Sequence, residues 1–170
     1  IAEKEFQFCI NKNQIKGIVS MKTWGFGSYN FTRNGRFTAT DINGNVLERW
    51  DRQIEFVNDD NIFYAFAEYS LSDVPSETAN LSVKTDWTLR KKNGVSFDAD
   101  MQSLTDFTGD QCMLGGDLDN SNTINFLDFL ILRTNWYTHN STADVNGDGN
   151  VQFSDFLVLR DNWYLIGDDE

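Results

Sequence analysis

The sequence has few of the residues on which several common kinds of protein chemistry depend. It contains one histidine, His139, and two cysteines, so a zinc site with several His and Cys ligands cannot form and histidine-dependent catalysis has a single candidate. One proline and 12 glycines in 170 residues are too few for a linker-like protein. Because 40% of the residues are hydrophobic and 14% are aromatic, we expect a folded chain.

Positive charge and long apolar runs are also scarce. The chain carries 14 Lys and Arg against 26 Asp and Glu, a formal net charge of −12, which disfavours a nucleic acid as partner. No stretch reaches the roughly 18 consecutive apolar residues of a membrane-spanning helix, so we expect a soluble chain. The sequence begins at Ile1 without a basic-then-apolar leader, which favours a processed or cloned end.

The negative charge is concentrated in the C-terminal third. Residues 117 to 170 hold ten acidic side chains and only two basic ones, Arg133 and Arg160, while residues 1 to 116 have a net charge of −4. The acidic residues recur at fixed steps. This regularity indicates an internal repeat.

A shift of 27 residues aligns the repeat. DLDNSNTINFLDFLILRTNWY (117–137) then lies over DVNGDGNVQFSDFLVLRDNWY (144–164), with ten of 21 positions identical. Each copy runs from a polar stretch into an apolar segment with large residues at i, i+3 and i+7, the spacing of one buried helix face. These residues are Phe129, Leu132 and Trp136 in the first copy and Phe156, Leu159 and Trp163 in the second. Each copy therefore predicts a loop followed by a helix.

The loop residues suit a hard cation. Calcium takes six to eight oxygens, and a 12-residue loop supplies them from positions 1, 3, 5, 7, 9 and 12, with a sharp turn at position 6. The second copy offers oxygen ligands at all six positions, with Gly149 at the turn: Asp144, Asn146, Asp148, the carbonyl of Asn150, Gln152 and Asp155. The first copy offers Asp117, Asp119, Ser121, the carbonyl of Thr123, Asn125 and Asp128, with Asn122 at the turn.

Two further expectations concern these loops. We expect Ile124 and Val151, at the eighth positions, to pair the loops back to back through a short strand contact. A single match of this kind would be as well explained by a turn-rich acidic loop, but two matches in register favour two calcium ions. Zinc or magnesium is less compatible with an oxygen-only, large and flexible loop.

At these residues the sequence resembles the type I dockerin family. The resemblance covers residues 117–164 and rests on the pattern D-x-N-x-D-G-x-V-x-x-x-D before an apolar helix, present twice with Asp at the twelfth position. The segments NFLDFLIL and QFSDFLVL are more similar to the dockerin-like tails of secreted environmental bacterial proteins than to cellulosomal dockerins. The resemblance implies a non-catalytic module of two calcium-loop–helix units that docks a cohesin-type β-sandwich on another protein.

The resemblance also implies which residues contact a partner. They are the two residues before the twelfth-position Asp and a pair further along the helix: Phe126, Leu127, Arg133 and Thr134, then Phe153, Ser154, Arg160 and Asp161. Phe126 and Phe153 replace the small hydroxyl residues of the cellulosomal pattern, and they fit a core position as well as a recognition position. The surface can also pack on the chain's own β domain, because the linker from Cys112 to Gly116 is short.

The rest of the chain has the pattern of an antiparallel β-sandwich. Alternating segments separated by turn signals predict seven or eight strands: EFQFCI, IKGIVSMKTW, RFTAT, NVLERW, QIEFV, IFYAFAEYSL, NLSVKTDWTL and VSFDADM. Asn43–Gly44 is the clearest hairpin turn. We expect a mostly β domain over 1–113 and a small α-helical, EF-hand-like calcium module over 114–170.

Cys9 and Cys112 bracket the β domain. In an extracellular setting a disulfide between them closes a long loop, which stabilises by about 4 to 5 kcal/mol in the chain-entropy model. Two buried free thiols are the alternative. Calcium loops of this kind favour the oxidised pair, because they suit the millimolar calcium of a secreted or cell-surface protein.

The β domain has no local catalytic motif. Acids such as Glu48, Glu55 and Asp86 fall on alternating strand positions typical of a solvated face, and His139 lies in a loop segment, THNST. Trp24, Trp50 and Trp87, with Tyr29, fit either a core or a carbohydrate-stacking platform. We therefore expect a non-catalytic assembly protein, or alternatively a carbohydrate- or ligand-binding β domain with the repeat as its attachment device.

Overall fold

A computed structural model describes residues 12–25, 28–60 and 63–170. These residues form nine strands and two α-helices. The strands are β1 (Gln14–Lys22), β2 (Tyr29–Thr40), β3 (Val46–Asn58), β4 (Tyr64–Ser72), β5 (Asn80–Thr85), β6 (Trp87–Thr88), β7 (Lys91–Gly94), β8 (Gln102–Leu104) and β9 (Gly115–Asp117). The helices are α1 (Phe126–Thr134) and α2 (Phe153–Asp161), and a 3₁₀ turn spans Gly109–Gln111.

Seven strands form one curled sheet in the order β7-β5-β2-β3-β4-β1-β8, in which only the β1–β8 pair is parallel. β3 pairs with β4 through Val57 and Phe66. Phe37 of β2 stacks on Tyr69 of β4 at a centroid distance of 4.6 Å, although β3 lies between these strands in the sheet. The sheet therefore curls until its two halves enclose one core, and the predicted mostly β fold with a small helical module is confirmed.

The hairpin between β2 and β3 follows from its turn residues. Gly44 has φ +83°, which glycine adopts without a Cβ penalty. The Asp41 carboxylate accepts hydrogen bonds from the backbone N–H groups of Asn43 and Asn45, both at 2.8 Å. This fixes the register of the two longest strands.

Some strand boundaries differ from the sequence prediction. NVLERW and QIEFV belong to one strand, β3, and residues 95–101 are not a strand. β2 starts before the predicted RFTAT segment and runs through Asn34–Gly35, a dipeptide that resembles a turn. A Cβ at Gly35 would lie 2.4 Å from Ile54 Cδ1, so a larger residue there would force this buried side chain to shift. The predicted strand EFQFCI lies outside the described residues.

Two hydrophobic cores are present in the described part of the chain. The first packs inside the curled sheet and includes Phe37, Phe56, Phe107 and Met113. The second is built from the C-terminal region, including Ile124, Leu132 and Leu159, with Leu89, Trp24 and Trp87 of the β domain packed into or against it. The helical region is thus joined to the β domain by shared apolar contacts. None of the helices in the described residues is long and apolar enough to cross a membrane.

Candidate functional site

The two loops that precede the helices have equivalent but separate hydrogen-bond networks. In the first loop, Asp117 Oδ2 accepts from the Asn122 N–H at 2.9 Å, and in the second, Asp144 Oδ2 accepts from the Gly149 N–H at 2.9 Å. Asn122 and Gly149 have φ values of +65° and +87°. Asparagine tolerates this left-handed turn better than most residues, so the first loop keeps its shape without a glycine.

The last acidic residue of each loop is held in the same way. Asp128 accepts from the N–H groups of Asp119 (3.2 Å) and Asn125 (2.8 Å). Asp155 accepts from those of Asn146 (3.1 Å) and Gln152 (2.9 Å). Both carboxylates are fully buried at the start of their helices. Burial raises the pKa of Asp128, and it raises that of Asp155 to about 7.

The first loop gathers three carboxylates. One oxygen each of Asp117, Asp119 and Asp128 lies within 4.8 Å of the others. Asp117 is fully buried, and its Oδ1 atom has no hydrogen-bond partner among the described residues. Asp117 and Asp128 are buried charges of one sign, whereas Asp119 is exposed, and a cation beside them would be stabilising. The donor set is all oxygen, so these residues fit a calcium ion.

The second loop buries Asp144 and Asn146 with Asp155. Burial also raises the pKa of Asp144. The Asp148 carboxylate accepts from the side-chain amides of Asn146 (2.9 Å) and Gln152 (3.1 Å). Asn146 thus links two carboxylates of this loop, because its backbone N–H donates to Asp155 and its side-chain amide donates to Asp148. The donor atoms are again all oxygens, which suits a hard cation.

The other predicted ligands have additional contacts. The Asn125 side chain caps α1 by accepting from the Leu127 N–H at 2.8 Å. The Thr123 carbonyl accepts from the Ser121 hydroxyl at 3.1 Å. Asn150 is exposed, and its N–H donates to Asp148.

The expected pairing of Ile124 with Val151 is wrong. The Ile124 N–H donates to the Leu165 carbonyl (3.0 Å), and its carbonyl accepts from Tyr164 (2.9 Å). Val151 makes the equivalent bonds with Tyr137 and Thr138, at 2.9 and 2.8 Å. Each loop therefore pairs with the segment that follows the other helix. Both eighth-position side chains are buried between the units.

The β domain contacts the second loop through β2. Arg33 donates to the carbonyls of Asp144 (2.7 Å) and Val145 (3.3 Å), and its guanidinium lies 4.3 Å from the Trp87 ring centroid. The Tyr29 hydroxyl donates to the Asn146 carbonyl at 3.2 Å. Sequence reasoning did not identify Arg33. The available signal was a charged residue at an inward-facing strand position, in phase with Phe31 and Phe37.

Contacts with the first loop and with α2 complete this interface. Lys84 of β5 lies 2.5 Å from Asp117 Oδ2. Lys22 and the Trp24 indole both donate to Asp161 Oδ2, at 2.6 and 3.0 Å. Of the residues predicted to contact a partner, Asp161 is therefore engaged with the chain's own β domain.

The other predicted partner residues lie on the helices and are mostly exposed. Phe126 and Phe153 are 58% and 60% exposed, so they are not core residues. Their rings lie 6.0 Å from Phe129 and 5.9 Å from Phe156, and these two inner rings are 6.1 Å apart. We call this row of four rings the phenylalanine ridge. Leu127, Arg133, Thr134 and Arg160 are exposed around it, and Ser154 is half-buried.

The remaining candidates have structural contacts. His139 is exposed, and its Nδ1 atom lies 2.8 Å from the Gly149 carbonyl oxygen. Trp50 is buried, Trp24 and Trp87 pack against the second core, and Tyr29 contacts the second loop, so these four do not form a shared stacking platform. Burial raises the pKa of the Cys112 thiol. Cys9 lies outside the described residues, and the disulfide stays a prediction.

Comparison with known families identifies the C-terminal region. Residues 115–162 match the family model of the dockerin type I domain. The C-terminal third is a dockerin-like module. Dockerin domains generally bind calcium. We refer to the chain from Gly115 onward as the dockerin module.

A solved structure has a similar fold. It is the crystal structure of an N-terminal interface mutant of a type II cohesin–X–dockerin complex from Acetivibrio cellulolyticus, matched with a TM-score of 0.58 and 16% identity. The match covers 91% of this chain and 97% of that one. The part of this chain that the match leaves out is shorter than the dockerin module, so the similarity in fold extends over both the β domain and the module. A search of curated proteins found no match.

Proposed function

We propose that this chain is a non-catalytic, extracellular assembly protein whose dockerin module binds two calcium ions and docks a cohesin-type domain of another protein. The observation that carries the proposal is the duplicated loop–helix unit, with the same carboxylate network in both copies, in a segment that matches the dockerin type I model. The complex named for the similar structure supports cohesin as the partner class.

Each loop would hold one ion. In the first loop the ligands are Asp117, Asp119, Ser121, Thr123 (carbonyl), Asn125 and Asp128, and in the second Asp144, Asn146, Asp148, Asn150 (carbonyl), Gln152 and Asp155. The ions would neutralise the buried carboxylates and so order the loops. Calcium is present at the submillimolar to millimolar level outside cells, which is enough to fill sites of this kind. The calcium loops therefore support the proposal that the protein is secreted.

The phenylalanine ridge and the neighbouring arginines are the proposed docking surface. Both calcium loops face the β domain through Arg33 and Lys84, while Phe126 and Phe153 stay exposed. Packing on the β domain and docking to a partner are therefore compatible. The 27-residue repeat places Arg133 and Arg160 at equivalent positions, so either half of the surface can meet the same partner after a half-turn.

The test is binding of the purified chain to isolated type I and type II cohesin domains, measured by calorimetry in calcium and in EDTA. We expect binding to one class, and only in calcium. Binding that survives EDTA would contradict the calcium role. Failure of every cohesin to bind a calcium-loaded chain would contradict the partner class.

The proposal that either half of the docking surface can meet the partner is tested separately, with the cohesin domain that binds. Arg133→Glu or Arg160→Glu alone should change the affinity little, because the other half remains intact, whereas the double variant should abolish binding. Arg52→Glu, the same charge reversal at an exposed arginine of β3, is the matched control. If a single substitution removes all binding while calcium uptake stays normal, only one half of the repeat binds the cohesin, which contradicts the proposal.

A further inference from the structure

Lys84 of the β domain reaches into the first calcium loop. Its ammonium lies 2.5 Å from Asp117 Oδ2 and 2.5 Å from the Thr88 carbonyl oxygen. The Lys84 side chain is only 16% exposed and Asp117 is fully buried, so water screens this ion pair poorly. The contact joins a residue of β5 to the first residue of a loop 33 positions further along the chain.

The contact divides the roles of the two Asp117 oxygens. Oδ2 accepts from Lys84 and from the Asn122 N–H, whereas Oδ1 is buried and has no partner among the described residues. Oδ1 is therefore the oxygen available to a cation shared with Asp119 and Asp128. An ion bound there would be separated from the Lys84 ammonium by a single carboxylate group. Two positive charges this close in a buried site repel each other.

The second loop lacks this arrangement in the described structure. Arg33 of the β domain donates to backbone carbonyls of this loop, and the Asp144 carboxylate accepts from the N–H groups of Gly147 (2.8 Å) and Gly149 (2.9 Å). Among the described residues Arg33 forms no ion pair with a carboxylate of this loop, although its charge acts on Asp144 from a distance and counters the rise in pKa that burial causes there. The two loops differ in the contact that the β domain makes at their first position.

We propose that Lys84 is an intramolecular counter-ion of the first calcium loop. It offsets part of the charge of the three clustered carboxylates when no calcium is bound, and it lowers the calcium affinity of this loop relative to the second. The first loop then fills at a higher calcium concentration. This inference rests on the proposed calcium binding of the module, and it adds a residue of the β domain to the determinants of that binding.

The test is a calcium titration of the full chain followed by ¹⁵N–¹H correlation spectra. The amides of Asn122 and Gly149 report on the loops separately, because each donates to the first carboxylate of its own loop. Lys84→Met removes the charge and keeps a long side chain, Lys84→Arg keeps the charge, and Lys16→Met alters an exposed lysine of β1. Lys84→Gln serves in place of Lys84→Met if that variant does not fold.

We expect Lys84→Met to tighten calcium binding at the first loop by about tenfold and to leave the second loop unchanged. Lys84→Arg and Lys16→Met should titrate like the original chain. Unchanged or weaker binding at the first loop of Lys84→Met would overturn the proposal, as would an equal change at both loops or an equal effect of Lys84→Arg. If the unsubstituted chain takes up no calcium at either loop, the proposed function itself fails.

Discussion

Residue 147 must be glycine for two separate reasons. Its φ of +81° disfavours residues with a Cβ, and a Cβ built there would lie 2.3 Å from Cγ of Phe31 in the β domain. Because Phe31 packs in the first core, its ring has little room to move. We expect Gly147→Ala to lower the free energy of unfolding in calcium by about 3 kcal/mol, the sum of backbone strain and overpacking.

Gly44→Ala is the matched control for this substitution. Gly44 has nearly the same φ, +83°, but nothing lies within 4 Å of its Cβ position. Its alanine variant should lose only about 1 kcal/mol, the cost of a Cβ in the left-handed region. Equal losses for the two variants in denaturant titrations would show that the contact with Phe31 does not constrain residue 147.

The predicted disulfide between Cys9 and Cys112 can be tested by counting free thiols. Cys112 is buried directly before Met113, a residue of the first core. If Cys9 pairs with it, free-thiol titration of the unfolded, unreduced protein from an oxidising compartment should find no thiol. Two titratable thiols would reject the pairing.

Within the elements, the loops and helices could be predicted more closely than the strands. The spacing of Asp, Asn and Gly predicts the turns at Asn122 and Gly149, which both have positive φ, so the loop–helix units follow from local sequence. The strands depend on packing between distant segments. Gly35 continues a strand because it pairs with Arg52 of β3 on one side and Thr85 of β5 on the other, and no pattern around Asn34–Gly35 contains that information.

Calcium should stabilise the loop–helix units selectively. Asp128 and Asp155 are fully buried, and each accepts hydrogen bonds from two backbone N–H groups, which offset only part of the cost of burying a charge. At a calcium concentration about 100 times the dissociation constant, each site should add about 2.7 kcal/mol to the stability of the module. Equal thermal unfolding of the chain in calcium and in EDTA would contradict this expectation.

At the scale of the whole molecule, the internal symmetry of the module is broken by the β domain. The repeat predicts equivalent surfaces, and the phenylalanine ridge is symmetric in its ring contacts. The contacts with the β domain could not be predicted in this way. Lys22, Arg33 and Lys84 lie on three different strands, and only the curled sheet brings them to one side of the module.

Asp161 and Thr134 show this asymmetry most directly, because they occupy equivalent positions of the repeat. Asp161 accepts hydrogen bonds from Lys22 and Trp24, whereas the Thr134 hydroxyl donates to the Leu130 carbonyl of its own helix. Burial acts to raise the pKa of Asp161, but hydrogen bonds from Lys22, Arg160 and Trp24 outweigh it and the pKa is lowered. The carboxylate is thus stabilised in its charged form by the β domain.

We therefore expect Asp161→Ala to loosen the contact between the module and the β domain by about 1.5 to 3 kcal/mol, the usual range for hydrogen bonds to a charged group. Thr134→Ala at the equivalent position should leave the contact intact. The Trp24 indole N–H resonance reports the contact, since this group donates to Asp161 at 3.0 Å. A shift of that resonance toward solvent-exposed values, with lower stability in denaturant, should appear in Asp161→Ala alone. The same shift in both variants, or in neither, would show that the β domain does not distinguish the two halves of the repeat.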